Sequence, residues 1–271
     1  MSEIIQVSSD WLALREHEDA RARSRELALT AAGMLESGPI VVHDLGSGTG
    51  SMMRWMAPIL PGPQTWILHD WNAELVERAA GGVAPLDREG RPVAIRTRSG
   101  ELAHLAAGDL DSASLVTASA LLDVLTTEEL HALVQACVAV GCPVLLSLSV
   151  TGEVRLDPAD PRDGLFEEAF NAHQRRHVGG RPLLGPTGGA LAQRLFVESG
   201  WKVRSAATFW RLGDHDPRLL DEWFDGWVDA ASEQLGGRRS SGPEYRESRT
   251  AQRQRGDLCA VLAHTDLLAW P

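Results

Sequence analysis

The run Val41-Val42-His43-Asp44-Leu45-Gly46-Ser47-Gly48-Thr49-Gly50 constrains this chain more than any other stretch. A short apolar strand ends in an acid, and glycine then follows at every second position. Glycine has no Cβ and tolerates positive φ, so such a loop turns tightly and lets backbone approach a ligand. Ser51 to Ala57 then reads as a helix, whose first N–H groups lack partners within the helix and face the ligand side. Strand, glycine loop and helix open a βαβ unit, and repetition of that unit builds a parallel sheet.

The repetition is legible. Thr65–His69 reads as a second strand, followed by a helix from Asn72 to about Ala80. Val93–Thr97 and Ser114–Thr117 read as the third and fourth strands. A helix from Thr127 to Val140 leads to a fifth strand, Pro143–Leu148. The rhythm breaks after Thr151-Gly152, where residues 151–186 form a polar insertion with a helix expected over Phe166–His177. A helix over Gly188–Ser199 precedes a sixth strand, Trp201–Arg211. A second insertion covers 213–255, and Leu258–Ala263 reads as a last strand. Ahead of all this, residues 9–36 read as one helix capped by Asp10 and stopped by Gly38-Pro39. The Arg/Ser/Gly-rich stretch 236–243 reads as a mobile loop. The class is α/β, and ligands of such sheets sit at the carboxyl ends of the strands.

Asp70 lies twenty residues past Gly50, just after the second strand. An acid there can accept two hydrogen bonds from a ribose diol. Glycine spacing then separates cofactors. A dinucleotide loop, G-x-G-x-x-G, would place its third glycine at position 51, which is Ser51 here. That disfavours an NAD(P)-linked oxidoreductase.

On these residues, His43 to Gly50 and Leu68-His69-Asp70, the chain resembles the class I S-adenosylmethionine-dependent methyltransferases. The resemblance spans about residues 40–150, and the late strands fit it too. It implies a Rossmann-like, seven-stranded, mostly parallel sheet with helices on both faces and its last strand antiparallel. It also implies S-adenosyl-L-methionine as cofactor. By the same resemblance, Asp44, Gly46, Ser47, Gly48 and Gly50 face the methionine and ribose, Asp70 with Trp71 takes the ribose side, and Glu101-Leu102 lies near the adenine. Ser119, in the segment Ala118 to Asp123, faces the methionine end. The chain then reads as one domain, 1–271. It divides into an N-terminal helical cap (1–38), a cofactor-binding core (39–150), an insertion or lid (151–186) and the rest of the sheet (187–271) carrying a helical insertion at 213–255. The start Trp11 to Glu16 and the ending His264 to Pro271 are similar to those of a group of bacterial methyltransferase-like proteins.

Methyl transfer from a sulfonium is an in-line displacement that needs alignment first and a base only when the acceptor must lose a proton. His173 and His177, four apart in the insertion, are candidate bases, with Arg175 or Arg176 to bind an anionic acceptor; a metal site fails because Gln174 breaks the H-E-x-x-H pattern. Asp123 is a third candidate, either touching the acceptor or capping the helix near Thr127. Trp11, Arg15, Asp19 and Arg23 recur every four residues and can cover the pocket, with Arg15 or Arg23 on the methionine carboxylate. The alternative is an amphipathic helix with i,i+4 ion pairs. Trp210, Trp223 and Trp227 line an acceptor pocket or pack a core.

Composition narrows the acceptor. Thirty-seven acids against 26 bases give a formal charge of −11, which disfavours nucleic acid. A small-molecule acceptor is expected. The competing reading is a protein that binds S-adenosylmethionine or its demethylated product without catalysis. Cys137, Cys142 and Cys259 include no C-x-x-C; Cys142 and Cys259 are expected to be buried and inert. No apolar run reaches the roughly 20 residues of a membrane span, and the start Met1-Ser2-Glu3-Ile4 lacks the basic region of a signal peptide. The reading is cytoplasmic and without a membrane. The sequence carries no signal for an oligomeric state.

Overall fold

The computed structural model describes residues 7–36, 38–236 and 241–271. Residues 237–240, at the centre of the expected mobile loop, and the first six residues lie outside the described residues.

Seven strands form one sheet: β1 (Ile40–Leu45), β2 (Gln64–Asp70), β3 (Ala94–Ser99), β4 (Leu115–Ser119), β5 (Val144–Asp157), β6 (Lys202–Leu212) and β7 (Cys259–Trp270). Their spatial order is β3-β2-β1-β4-β5-β7-β6. The first five run parallel, and β7 lies antiparallel between β5 and β6. The order reverses between β1 and β4, which opens a crevice at their carboxyl ends. β1 and β2 are buried almost throughout, because helices cover both faces.

The expected single helix over 9–36 is two helices, α1 (Ser9–Ala22) and α2 (Arg25–Met34). Ser8, rather than Asp10, caps α1, its hydroxyl accepting from the Trp11 N–H. Arg23 leaves the helix with extended backbone (φ −55°, ψ 137°), and Ser24 caps α2. Buried Asp266 of β7 fixes this break, because its Oδ2 accepts the Ser24 N–H at 2.8 Å. Its Oδ1 accepts from the Leu148 N–H at 2.7 Å and the Thr208 hydroxyl at 3.2 Å. Leu148 stands at φ +55° where the β5–β7 register shifts, so one carboxylate also satisfies the bulge.

The remaining helices are α3 (Ser51–Met56), α4 (Ala73–Gly81), α5 (Thr127–Val140), α6 (Asp163–Gln174), α7 (Gly188–Glu198), α8 (Pro217–Leu235) and α9 (Ser241–Gln254). The two expected insertions pack on each other: Phe166 of α6 stacks on Tyr245 of α9 at 4.1 Å and tilts against Trp227 of α8. Trp223, Trp227 and Trp210 belong to this core. Cys142 is buried, which pushes its thiol up to about 11. Cys259 is exposed, contrary to expectation, because it sits at the outer end of β7. Among the described residues no helix is long and apolar enough to cross a membrane.

α7 meets the turn after β4 closely. A Cβ on Gly188 would lie 2.7 Å from the Leu122 carbonyl oxygen, which is backbone and cannot swing aside. Gly188→Ala is therefore expected to cost about 1–3 kcal/mol, read as a lower midpoint of thermal unfolding. An unchanged midpoint would mean that the two elements separate freely.

Candidate functional site

A cavity of about 260 Å³ opens at the crevice beside β1 and β4. Its floor is the glycine loop. Gly46 and Gly48 have φ of +63° and +51°, and a Cβ on Gly46 would meet Leu121 Cδ1 at 2.7 Å. Only glycine fits both demands. Gly50, at φ +82°, starts α3 behind the loop and does not line the cavity.

Asp70 closes the β2 side. Its Oδ2 accepts from the Gly48 N–H at 2.8 Å and its Oδ1 from the Asn72 N–H at 2.9 Å. This ties the glycine loop to the second strand, and the Trp71 backbone N–H also stabilises the carboxylate. Burial raises its pKa. Trp71 follows it into the wall, and Glu101 and Leu102 enter from the turn after β3. Ser119 and Asp123 come from the segment after β4.

The roof is α1. Trp11, Leu12, Arg15, Asp19 and Arg23 all reach the cavity. Arg15 holds Asp19 through two nitrogens, Nε at 3.0 Å and Nη2 at 3.1 Å, and lies 4.8 Å from the Trp210 ring centre. Trp210 donates its indole N–H to Asp19 at 3.1 Å. Arg15 thus has its partners within the protein. Arg23 does not. Its side chain is 1% exposed, and the nearest carboxylate, Asp19, is 3.9 Å away. Nη2 donates to Ser51 Oγ at 2.8 Å and Ser119 Oγ at 3.0 Å, while Nη1 has no partner among the described residues. Burial lowers its pKa, opposed by Asp19 and other carboxylates.

Asp44 is the counterpart. It is buried at the end of β1, and Oδ1 accepts from the Thr117 hydroxyl at 2.7 Å. Its Oδ2 has no partner among the described residues. Burial pushes this carboxyl up to about 7, although the Thr117 hydroxyl and the Arg23 cation pull it down. Buried polar atoms are nearly always hydrogen-bonded. An orphaned guanidinium nitrogen and an orphaned carboxylate oxygen, both in residues lining one cavity, therefore point to a ligand with both an anionic and a cationic group.

The expected lid residues lie elsewhere. α6 ends at Gln174, so His173 and His177 share no helix face; His177 sits in a short ribbon arm, exposed. His173 pairs with Glu233 of α8 at 3.2 Å, and Arg176 bonds back to His173. Neither histidine nor Arg176 lines the cavity. The insertion reaches it through Arg181 instead, which no local signal in the sequence marks. Arg181 holds Glu129 of α5 by Nε at 3.0 Å and Nη2 at 2.6 Å. Among the described residues no cluster of three metal-type side chains exists.

No protein-family model matches the chain, and no curated protein matches it in sequence. Solved structures match it in fold. A protein of Lactobacillus casei described as cyclopropane-fatty-acyl-phospholipid synthase-like aligns over 99% of this chain and 96% of its own, with TM-score 0.52 and 13% identity. A provisionally assigned methyltransferase of Bacillus halodurans aligns over 91% and 97%, with TM-score 0.51 and 12% identity. The YcgJ protein of Bacillus subtilis aligns over 93% and 97%, with TM-score 0.50 and 15% identity. The strand order, the antiparallel β7 and these alignments agree: the chain has the fold of the class I S-adenosylmethionine-dependent methyltransferases.

Proposed function

We propose that this protein is an S-adenosylmethionine-dependent methyltransferase acting on a small molecule. The carrying observation is the pair of orphaned atoms, Arg23 Nη1 and Asp44 Oδ2, in two residues that line the cavity. They match the α-carboxylate and α-ammonium of a free amino-acid group, which S-adenosylmethionine has and NAD lacks. Asp70 has lone pairs for the ribose diol, and Trp71, Leu75 and Leu102 supply apolar wall for the adenine. Ser51, where a dinucleotide loop has its third glycine, accepts a hydrogen bond from Arg23 on its hydroxyl oxygen.

The cofactor supplies a methyl group activated on a sulfonium. The chain's own residues bind and orient. Asp44 and Arg23 fix the amino-acid end, Asp70 fixes the ribose, and the α1 roof with Trp11 and Leu12 keeps water from the reacting end. Calorimetric titration tests this. S-adenosylmethionine and S-adenosylhomocysteine are expected to bind in the micromolar range and NAD far more weakly. Preference for NAD would overturn the reading.

The raised Asp44 carboxyl sets a pH dependence. Below about 7 the free protein holds a proton on Asp44. Pairing with the ligand's ammonium requires that proton to leave. Affinity should therefore rise about tenfold per pH unit as pH climbs from 5 towards 7, then level until the ligand's own α-ammonium titrates near 8. Asp44→Asn should remove most of that slope. A flat profile in the wild type would show that Asp44 does not meet the ammonium.

A further inference from the structure

Carboxylates outnumber cations among the residues that line the cavity. Three arginines line the cavity among the described residues, and no lysine does. Arg15 is held through two nitrogens by Asp19, and Arg181 likewise by Glu129. Arg23 holds Ser51 and Ser119, and the cofactor reading above assigns it to the amino-acid carboxylate. The chain's single lysine, Lys202, is exposed on β6. An anionic acceptor would find no unmatched cation where it must sit.

Asp123 is the group left over. It stands in the turn after β4, close enough to Arg15 to feel its charge. It has no ion-pair or side-chain hydrogen-bond partner among the described residues, and accepts only from its own N–H. It has no capping duty. Thr126 caps α5, its hydroxyl accepting from the Glu129 N–H at 3.2 Å while Glu129 accepts from the Thr126 N–H at 2.9 Å. A carboxylate facing a cavity with no structural task is costly unless a ligand pairs with it. The cavity lining supplies apolar surface from Trp11, Leu121, Val124 and Leu125, beside the paired Arg15–Asp19 and Arg181–Glu129.

We infer that the acceptor is an amine on an apolar body, bound as its ammonium, with Asp123 as the carboxylate that pairs with it and takes its proton. This rests on the cofactor reading above. The ammonium gives one proton to Asp123. The freed nitrogen lone pair forms the new N–C bond with the methyl carbon, the C–S bond breaks, and its electron pair stays on sulfur as a neutral thioether. The methylated product leaves as an ammonium, and Asp123 returns its proton to water. Burial pushes the Asp123 carboxyl up to about 6, so it is ionised at neutral pH yet nearer in basicity to an amine than an ordinary carboxylate is.

The test uses the full chain saturated with S-adenosylhomocysteine and three probes of similar body: 2-phenylethylamine, 2-phenylethanol and 3-phenylpropanoate. The amine is expected to raise the unfolding midpoint by several degrees, growing with the logarithm of its concentration. The alcohol should do less and the carboxylate nothing. Asp123→Asn should abolish the amine shift while leaving the Kd for S-adenosylhomocysteine unchanged, and Asp123→Glu should restore part of it. With S-adenosylmethionine present, the amine should gain one methyl group on nitrogen by mass spectrometry. No amine shift, an equal or larger carboxylate shift, or an unaltered shift in Asp123→Asn overturns the inference. If S-adenosylhomocysteine itself fails to bind, it is the cofactor reading that falls.

Discussion

Asp70→Ala will weaken binding of S-adenosylmethionine and S-adenosylhomocysteine by about a hundredfold, measured as Kd by calorimetry. Asp70 is 6% exposed, and its carboxylate already accepts from the Gly48 and Asn72 backbone N–H groups. Asp70 lines the cavity, where the two hydroxyls of a ribose diol can donate charge-assisted bonds to the carboxylate. Each is worth roughly 1.5–3 kcal/mol, so losing both costs about 3 kcal/mol or more. The substitution also frees the Gly48 N–H, which loosens the glycine loop. A change below about threefold would remove Asp70 from the site and with it the nucleoside reading.

Arg23→Met is the second large effect, and its signs are opposite for folding and for binding. The guanidinium is buried, its nearest carboxylate is 3.9 Å away, and one nitrogen has no partner among the described residues. A buried charge without a close partner opposes folding. Methionine fills similar space without charge, so the ligand-free variant should melt at the same temperature or higher. Its affinity for S-adenosylmethionine should drop at least thirtyfold, the low end of the roughly 2–5 kcal/mol lost when one partner of a buried charge pair is removed. Two measurements decide it: the thermal midpoint without ligand and the Kd with it. A destabilised variant that still binds normally would make Arg23 a structural strut.

What could be read from sequence was local. The glycine loop, Asp44 and Asp70 are set by short-range chemistry: a strand end, positive φ, an acid after the next strand. The structure brings all of these except Gly50 to the cavity, together with Trp11, Arg15, Trp71, Glu101, Leu102, Ser119 and Asp123. Strand lengths were less legible. The apolar run of β5 stops at Leu148, yet the strand continues to Asp157 with every second residue turned inward. The last strand reads in sequence as ending at Ala263, yet β7 runs on to Trp270, and Asp266 within it accepts from three donors. The break at Arg23 did leave a local mark, Ser24 followed by Glu26, the pattern of a helix start. Arg181 left none, since its pairing with Glu129 spans 52 residues. His173 and His177 misled because i,i+4 spacing means a shared face only inside a helix, and α6 ends between them.

Asp266 has a consequence for how the protein is made. Its carboxylate holds the Ser24 N–H, and that bond sets the bend from which Arg23 enters the cavity. A ribosome delivers Arg23 more than two hundred residues ahead of Asp266. Between those events the strands that carry Asp44 and Asp70 already exist, but the arginine has nothing to hold its bend. The ligand pocket is therefore completed when β7 inserts between β5 and β6. A nascent chain stalled short of β7 should pair its first strands yet leave S-adenosylmethionine unbound, and release of the full chain should switch binding on in a single step.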